Sequence, residues 1–133
     1  MINGRCECGQ VQYGISGEIL SYSHCHCSKC RRISGSEFAT WAGVKRSEFA
    51  YTSGEELLRN FAFSELATSY FCSNCGSGIL MDDGHGEDEI YIRMGTINDP
   101  VVCPPGFHEF VGSKASWFEI TDDLPQFHES SDD

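Results

Sequence analysis

Seven of the eight cysteines in this 133-residue chain fall into three close-spaced sets: Cys6 with Cys8, Cys25 with Cys27 and Cys30, and Cys72 with Cys75. Cys103 stands alone. The opening residues Met1 to Cys6 contain no apolar h-region, and no later stretch approaches the ~20 apolar residues that span a bilayer. A soluble, cytoplasmic protein is therefore expected. In that reducing compartment, grouped cysteines read as metal ligands or catalytic thiols rather than as disulfides.

Zinc takes four soft or borderline ligands in a tetrahedron, so a pair of cysteines close in sequence needs a distant pair to complete it. Cys72-Ser73-Asn74-Cys75-Gly76 is such a knuckle, with a glycine that permits a tight turn around the ion. Cys6-Glu7-Cys8-Gly9 has one fewer spacer but also ends in glycine. Together the two pairs make a closed, structural site. The segment His24-Cys25-His26-Cys27-Ser28-Lys29-Cys30 supplies three thiols in six residues and leaves a fourth position open, the mark of catalytic zinc. His24 or His26 could close it. Pairing Cys27 and Cys30 with Cys72 and Cys75 would instead give an ordinary zinc ribbon, but it leaves Cys6, Cys8 and Cys25 without a role.

Between the cysteine sets the apolar pattern has period 2. Val11, Tyr13 and Ile15 alternate, as do Ile90, Ile92 and Met94. Residues 38–44, 68–71, 79–81, 107–111 and 115–120 are further strand candidates, rich in aromatic and β-branched residues. Glu55 to Ser69 reads as strand from the alternation of Phe61 and Phe63. The expected class is mostly β, built of short antiparallel strands with little helix. At this length one domain is expected, over about residues 1–120, burying roughly two-thirds of the surface of the unfolded chain. Residues 121–133 form an acidic C-terminal tail. With Glu119, Asp122, Asp123, Glu129, Asp132 and Asp133, and no Lys or Arg, the end of the chain is expected to fray into solvent.

The chain resembles the glutathione-dependent formaldehyde-activating enzymes, the GFA-domain family that includes centromere protein V. The likeness rests on Gly4-Arg5-Cys6-Glu7-Cys8-Gly9 with Val11 and Tyr13, on His24-Cys25-His26-Cys27 through Cys30-Arg31, and on Phe71-Cys72 through Cys75-Gly76. Gly95-Thr96, Asp99-Pro100, His108 and Lys114-Ala115-Ser116-Trp117 extend it in the same order. The resemblance implies a β-tent zinc-binding fold with two zinc ions. It places the structural ion on Cys6, Cys8, Cys72 and Cys75 and the catalytic ion on Cys25, Cys27 and Cys30. It also implies a carbon-sulfur lyase activity of the S-(hydroxymethyl)glutathione synthase type, in which a zinc-activated thiolate attacks formaldehyde or a similar aldehyde. Cys103 and the Pro104-Pro105-Gly106 run after it depart from the family pattern.

Charge narrows the partners. The net charge of -11 opposes nucleic acid and anionic membranes at long range. Within residues 24–46, however, Lys29, Arg31, Arg32, Lys45 and Arg46 face only Glu37, a local sum of +4. A small anionic thiol such as glutathione fits that patch, with Arg31 and Arg32 as forked anchors for its carboxylates. His26 and His108 are the candidates for proton transfer. His85, between two glycines, and His128, in the tail, are expected to be exposed and inert. Trp41 and Trp117 read as buried strand aromatics, and Cys103 as a packed thiol. The alternative function is a non-enzymatic zinc scaffold for a protein partner. A sulfoxide reductase using Cys103 is a third reading.

Overall fold

The computed structural model describes residues 1–84 and 88–131, so the expectation for His85 lies outside the described residues, as do Asp132 and Asp133. In chain order the strands are β1 (Ile2–Arg5), β2 (Gln12–Ile15), β3 (Ser21–Cys25), β4 (Ala39–Lys45) and β5 (Phe49–Ser53). They continue as β6 (Leu58–Ala62), β7 (Thr68–Cys72), β8 (Gly78–Asp82), β9 (Glu89–Arg93) and β10 (Phe107–Glu109). One α-helix, α1 (Ser28–Ser34), interrupts them between β3 and β4.

The strands form two sheets. The smaller has the order β1-β2-β5 and the larger β10-β3-β4-β9-β8-β7-β6. The pairs are antiparallel except β10 with β3, which is parallel. The mostly β architecture follows from the period-2 pattern, and the alternation also gives the large sheet two different faces. Ala42 and Val44 of β4, Ile90 and Ile92 of β9 and Leu80 of β8 point into the main core, against Val11, Tyr13 and Ile15 of the small sheet. Their neighbours Ala39 and Trp41 of β4 point the other way and pack with Cys25 and Cys30, with Met81 and Tyr91 alongside. One face thus builds the core, and the other carries α1 and the three-cysteine segment.

The expectation of little helix holds, yet α1 falls on the cysteine-rich segment itself. Its local causes are visible. Cys27 stands at the N-cap with extended backbone, and its sulfur accepts a hydrogen bond from the Cys30 amide, the role an Ser or Asp oxygen usually fills. Gly35 ends the helix in the left-handed region and donates its N–H to the Arg31 carbonyl.

Three expectations are corrected. Residues 115–120 are not a strand: the Phe118 N–H donates to the Ala115 carbonyl, and the Lys114 ammonium donates to the carbonyls of Ala115 and Phe118, which curls the backbone. Trp117 is left 69% exposed rather than buried. Residues 121–131 of the acidic end, in turn, do not fray. The segment returns along β10, where the His108 N–H donates to the Pro125 carbonyl and the Phe127 N–H donates to the His108 carbonyl. Phe127 packs edge-on to Phe107, and the Ser131 N–H donates to Glu109. Backbone groups at the sheet edge, together with the Asp122 and Glu109 carboxylates, hold this segment in place.

Candidate metal centres

The first cluster unites two hairpin ends. Cys6 and Cys8 follow β1, while Cys72 closes β7 and Cys75 lies in the turn before β8. Each turn is built alike: the Gly9 N–H donates to the Cys6 carbonyl and the Gly76 N–H to the Cys72 carbonyl, and both glycines take a positive φ, 81° and 82°. Any side chain there would strain the turn. The four sulfurs lie within 4.8 Å of one another, with Cys6 to Cys8 at 3.5 Å and Cys8 to Cys72 at 3.9 Å. These separations are far longer than a disulfide. They match the edge of about 3.8 Å that a tetrahedral centre with metal–sulfur bonds of about 2.3 Å requires. The Ser77 hydroxyl lowers the Cys75 pKa to about 5, the Asn74 side chain lowers that of Cys8, and burial raises that of Cys72 to about 11. This cluster could hold a metal ion with no ligand position to spare.

The second cluster holds three sulfurs. Cys25 ends β3, Cys27 caps α1 and Cys30 lies in its first turn, and their sulfurs also lie within 4.8 Å of one another. Hydrogen bonds from the Cys25 and Cys30 sulfurs push the Cys27 pKa far below the ordinary thiol range, while the contact with Cys27 pushes Cys25 up. Three thiols this close share protons, and a cation would displace them. The donor set therefore fits a metal with an incomplete protein shell. No fourth cysteine joins it among the described residues, since Cys103 packs half-buried against the main core. Burial raises the Cys103 pKa.

Four buried side-chain atoms among the described residues have no hydrogen-bond partner: His26 Nδ1, Arg31 Nε, Trp41 Nε1 and Arg93 Nε. All four belong to residues around the second cluster. His26 lies between two of its cysteines, Arg31 is in α1, Trp41 packs on Cys25 and Cys30, and the Arg93 guanidinium sits 4.7 Å over the Trp41 ring. Three of the four are obligate donors. Buried polar groups are nearly always satisfied, and the Trp41 indole is the donor among them that acts on the cluster, where, with Cys25, it pulls the Cys30 pKa down against the rise caused by Cys27 and burial.

His26 is fully buried, and its Nε2 lies 2.8 Å from His108 Nδ1. His108 Nε2 in turn lies 3.0 Å from an Asp122 oxygen. Burial first, and then the neighbouring His108, lower the His26 pKa to about 4. The His26 N–H is tied to the Glu109 carbonyl, and Phe38 and Phe118 pack on its ring. Asp122 thus ends a hydrogen-bonded chain that leads from the solvent edge to His26, between Cys25 and Cys27 in sequence. Sequence reading placed it in the solvated tail; its one signal was a carboxylate in a chain with a buried histidine to satisfy. Arg93 was missed because it alternates in β9 like any outward strand residue. Of the basic patch, Arg31 is half-buried near His26 and Arg32 is exposed, while Arg46 pairs with Asp82 at 2.8 Å. His128 is exposed.

The family model described as glutathione-dependent formaldehyde-activating enzyme matches residues 1–113. The chain belongs to this family. An uncharacterized lyase of the yeast Schizosaccharomyces pombe is 27% identical over 90 residues, which are 68% of this chain and 64% of the relative. This chain thus spans less than two-thirds of that curated relative. The crystal structure of a Rhodobacter sphaeroides protein aligns with a TM-score of 0.63 and 25% identity, covering 74% of this chain and 89% of the other. Both cysteine clusters and His108 lie inside the family match, whereas Phe118 and Asp122 lie beyond it. None of the helices among the described residues is long and apolar enough to cross a membrane.

Proposed function

We propose that this protein is a zinc-dependent carbon-sulfur lyase of the S-(hydroxymethyl)glutathione synthase type, joining glutathione or a related small thiol to formaldehyde or a similar aldehyde. The observation that carries the reading is the contrast between a four-sulfur cluster and a three-sulfur cluster. All-sulfur donor sets favour zinc. Two ions per chain follow, one structural on Cys6, Cys8, Cys72 and Cys75, and one catalytic on Cys25, Cys27 and Cys30. Family membership and the lyase name of the yeast relative support the same class. A cytoplasmic location suits thiols that must stay reduced.

The catalytic zinc would supply a positive centre that holds an incoming thiol as its thiolate. The three cysteines anchor that centre at the mouth of α1. His26 is the proposed proton carrier; its Nδ1 has no hydrogen-bond partner, and His108 and Asp122 fix its ring. The balance is simple: a sulfur–carbon bond forms, the carbonyl π pair moves to oxygen, and the thiol proton ends on that oxygen. The reverse is the lyase reaction. Arg31 and Arg32 are the proposed cationic contacts for carboxylates of the thiol. The test is exchange spectroscopy of formaldehyde with glutathione, together with native mass spectrometry. Two zincs in the wild type, one in Cys27→Ser, and exchange above the uncatalysed rate only in the wild type are the expected results. A single zinc in fully loaded protein, or exchange at the background rate, overturns the reading.

A further inference from the structure

We propose that Arg93 anchors a carboxylate of the substrate thiol, held in a groove on the helix face of the large sheet. This rests on the function proposed above and adds the second contact of the substrate. The groove has a volume of about 330 Å³ and is lined by Ile33, Phe61, Ser69, Phe71, Gly78 and Arg93. That is at the lower end for small-molecule sites. It lies between the two clusters, since Ile33 is one turn beyond Cys30 and Gly76, also in its lining, directly follows Cys75.

Arg93 has the features of an anchor. Its Nη1 donates to Ser34 Oγ of α1 at 2.7 Å, its guanidinium stacks on Trp41, and its Nε is buried without a partner. The ion pairs found among the described residues use Arg46 and His108 and do not include Arg93. A half-buried cation held on two sides and lacking a carboxylate partner is costly unless a ligand supplies one. The sheet makes room for it: a Cβ on Gly78 would stand 2.4 Å from Arg93 Nε and 2.8 Å from its Cδ. Phe61, on edge strand β6, is 61% exposed beside it. An aromatic left in water next to a fixed guanidinium suits a ligand with an anionic end and a planar amide to lie on the ring. Glutathione, with carboxylates at both ends and its thiol between, is of that class. The thiol would then lie on the α1 side of the groove, where Ile33 is one turn beyond Cys30.

The test titrates the zinc-loaded protein by calorimetry with glutathione and with S-methylglutathione, which keeps the carboxylates but cannot become a thiolate. In parallel, 2-mercaptoethanol and glutathione are added to the cobalt-substituted protein and the visible spectrum is followed. Arg93→Gln is expected to weaken both glutathione ligands about tenfold to a hundredfold, with the spectral response to 2-mercaptoethanol unchanged. Arg93→Lys keeps the charge without the fork, so it should fall between, and it serves if Arg93→Gln does not fold. Equal affinities of wild type and variants for S-methylglutathione overturn the anchor and leave the proposed function standing. A parallel loss of the 2-mercaptoethanol response would assign Arg93 to charge balance of the cluster, and also overturns it. Arg93-dependent binding with no spectral response to either thiol supports the anchor and overturns the thiolate chemistry. Failure of both glutathione ligands to bind the wild type overturns both.

Discussion

Gly78→Ala reverses the usual sign of a glycine replacement in a strand. With no other constraint, alanine within a strand gains about 0.5–1 kcal/mol over glycine, chiefly through the unfolded chain. Here the new methyl would meet Arg93 Nε at 2.4 Å, Cδ at 2.8 Å and Cζ at 3.2 Å. These atoms are not the free tip of the side chain, so the guanidinium has to leave its seat. Two contacts go with it. The hydrogen bond to Ser34 is worth about 1.5–3 kcal/mol for a charged donor, and the stacking on Trp41 about 0.5–2 kcal/mol. The net expectation is a destabilisation of about 1–4 kcal/mol. Urea unfolding at fixed zinc concentration measures it, and a melting temperature lower by about 3–5 °C per kcal/mol should accompany it in a chain of this size. The same change in an Arg93→Ala background removes the clash and should be neutral or stabilising. Unchanged or increased stability of Gly78→Ala in the wild-type background would refute the placement of Arg93 against Gly78.

Burial pushes the Tyr13 pKa up to about 12, although the Thr96 hydroxyl, 2.6 Å away, pulls the other way. The folded state therefore holds a proton that the unfolded state loses near pH 10, so stability is complete below pH 10 and falls by about 1.4 kcal/mol per pH unit until about pH 12. Tyr13→Phe should cost about 1 kcal/mol at pH 7 and flatten that part of the slope in alkaline unfolding curves; an identical slope would count against it. Asp122→Asn should loosen the terminal segment from β10. Hydrogen exchange at the Phe127 amide, which donates to His108, is expected to quicken while the Cys72 amide stays as slow as before. Equal protection of Phe127 in both proteins would deny Asp122 a docking role. The hydrogen bond from His108 holds the Asp122 pKa below its ordinary value, so wild-type docking should weaken only as pH falls through the carboxylate range.

Much of the sheet was readable because period-2 alternation is a local signal. The strands at 12–15, 39–45, 68–72, 78–82, 89–93 and 107–109 overlap the segments expected from it. Short, polar β1 and β3 gave no such signal, and their backbones are fixed by the partners they find across the sheet; β5 carries the alternating Phe49 and Tyr51 but is only five residues long. Helix α1 was missed for a related reason: seven residues are too few for a 3.6-residue period, and what makes it a helix is a cysteine cap at one end and a glycine at the other. The curl at 115–120 and the docking of the terminal segment depend on Lys114, His108 and β10, none of which can be read from the composition of those residues.

Which thiols act together was settled at two levels. Covalent geometry brings residues two or three apart into reach of one ion, so the pairs and the triplet were determined by the sequence alone. Their surroundings were not. The partnership of Cys6 and Cys8 with Cys72 and Cys75 needs two hairpins to meet across the core. The collection of Arg31, Trp41, Arg93 and the His26–His108–Asp122 chain around the other cluster spans residues 26 to 122. Register puts Trp41 and Arg93 on the Cys25 face and His108 beside His24 on the other, and only the folded sheet, by aligning β3, β4, β9 and β10, set both groups around one segment.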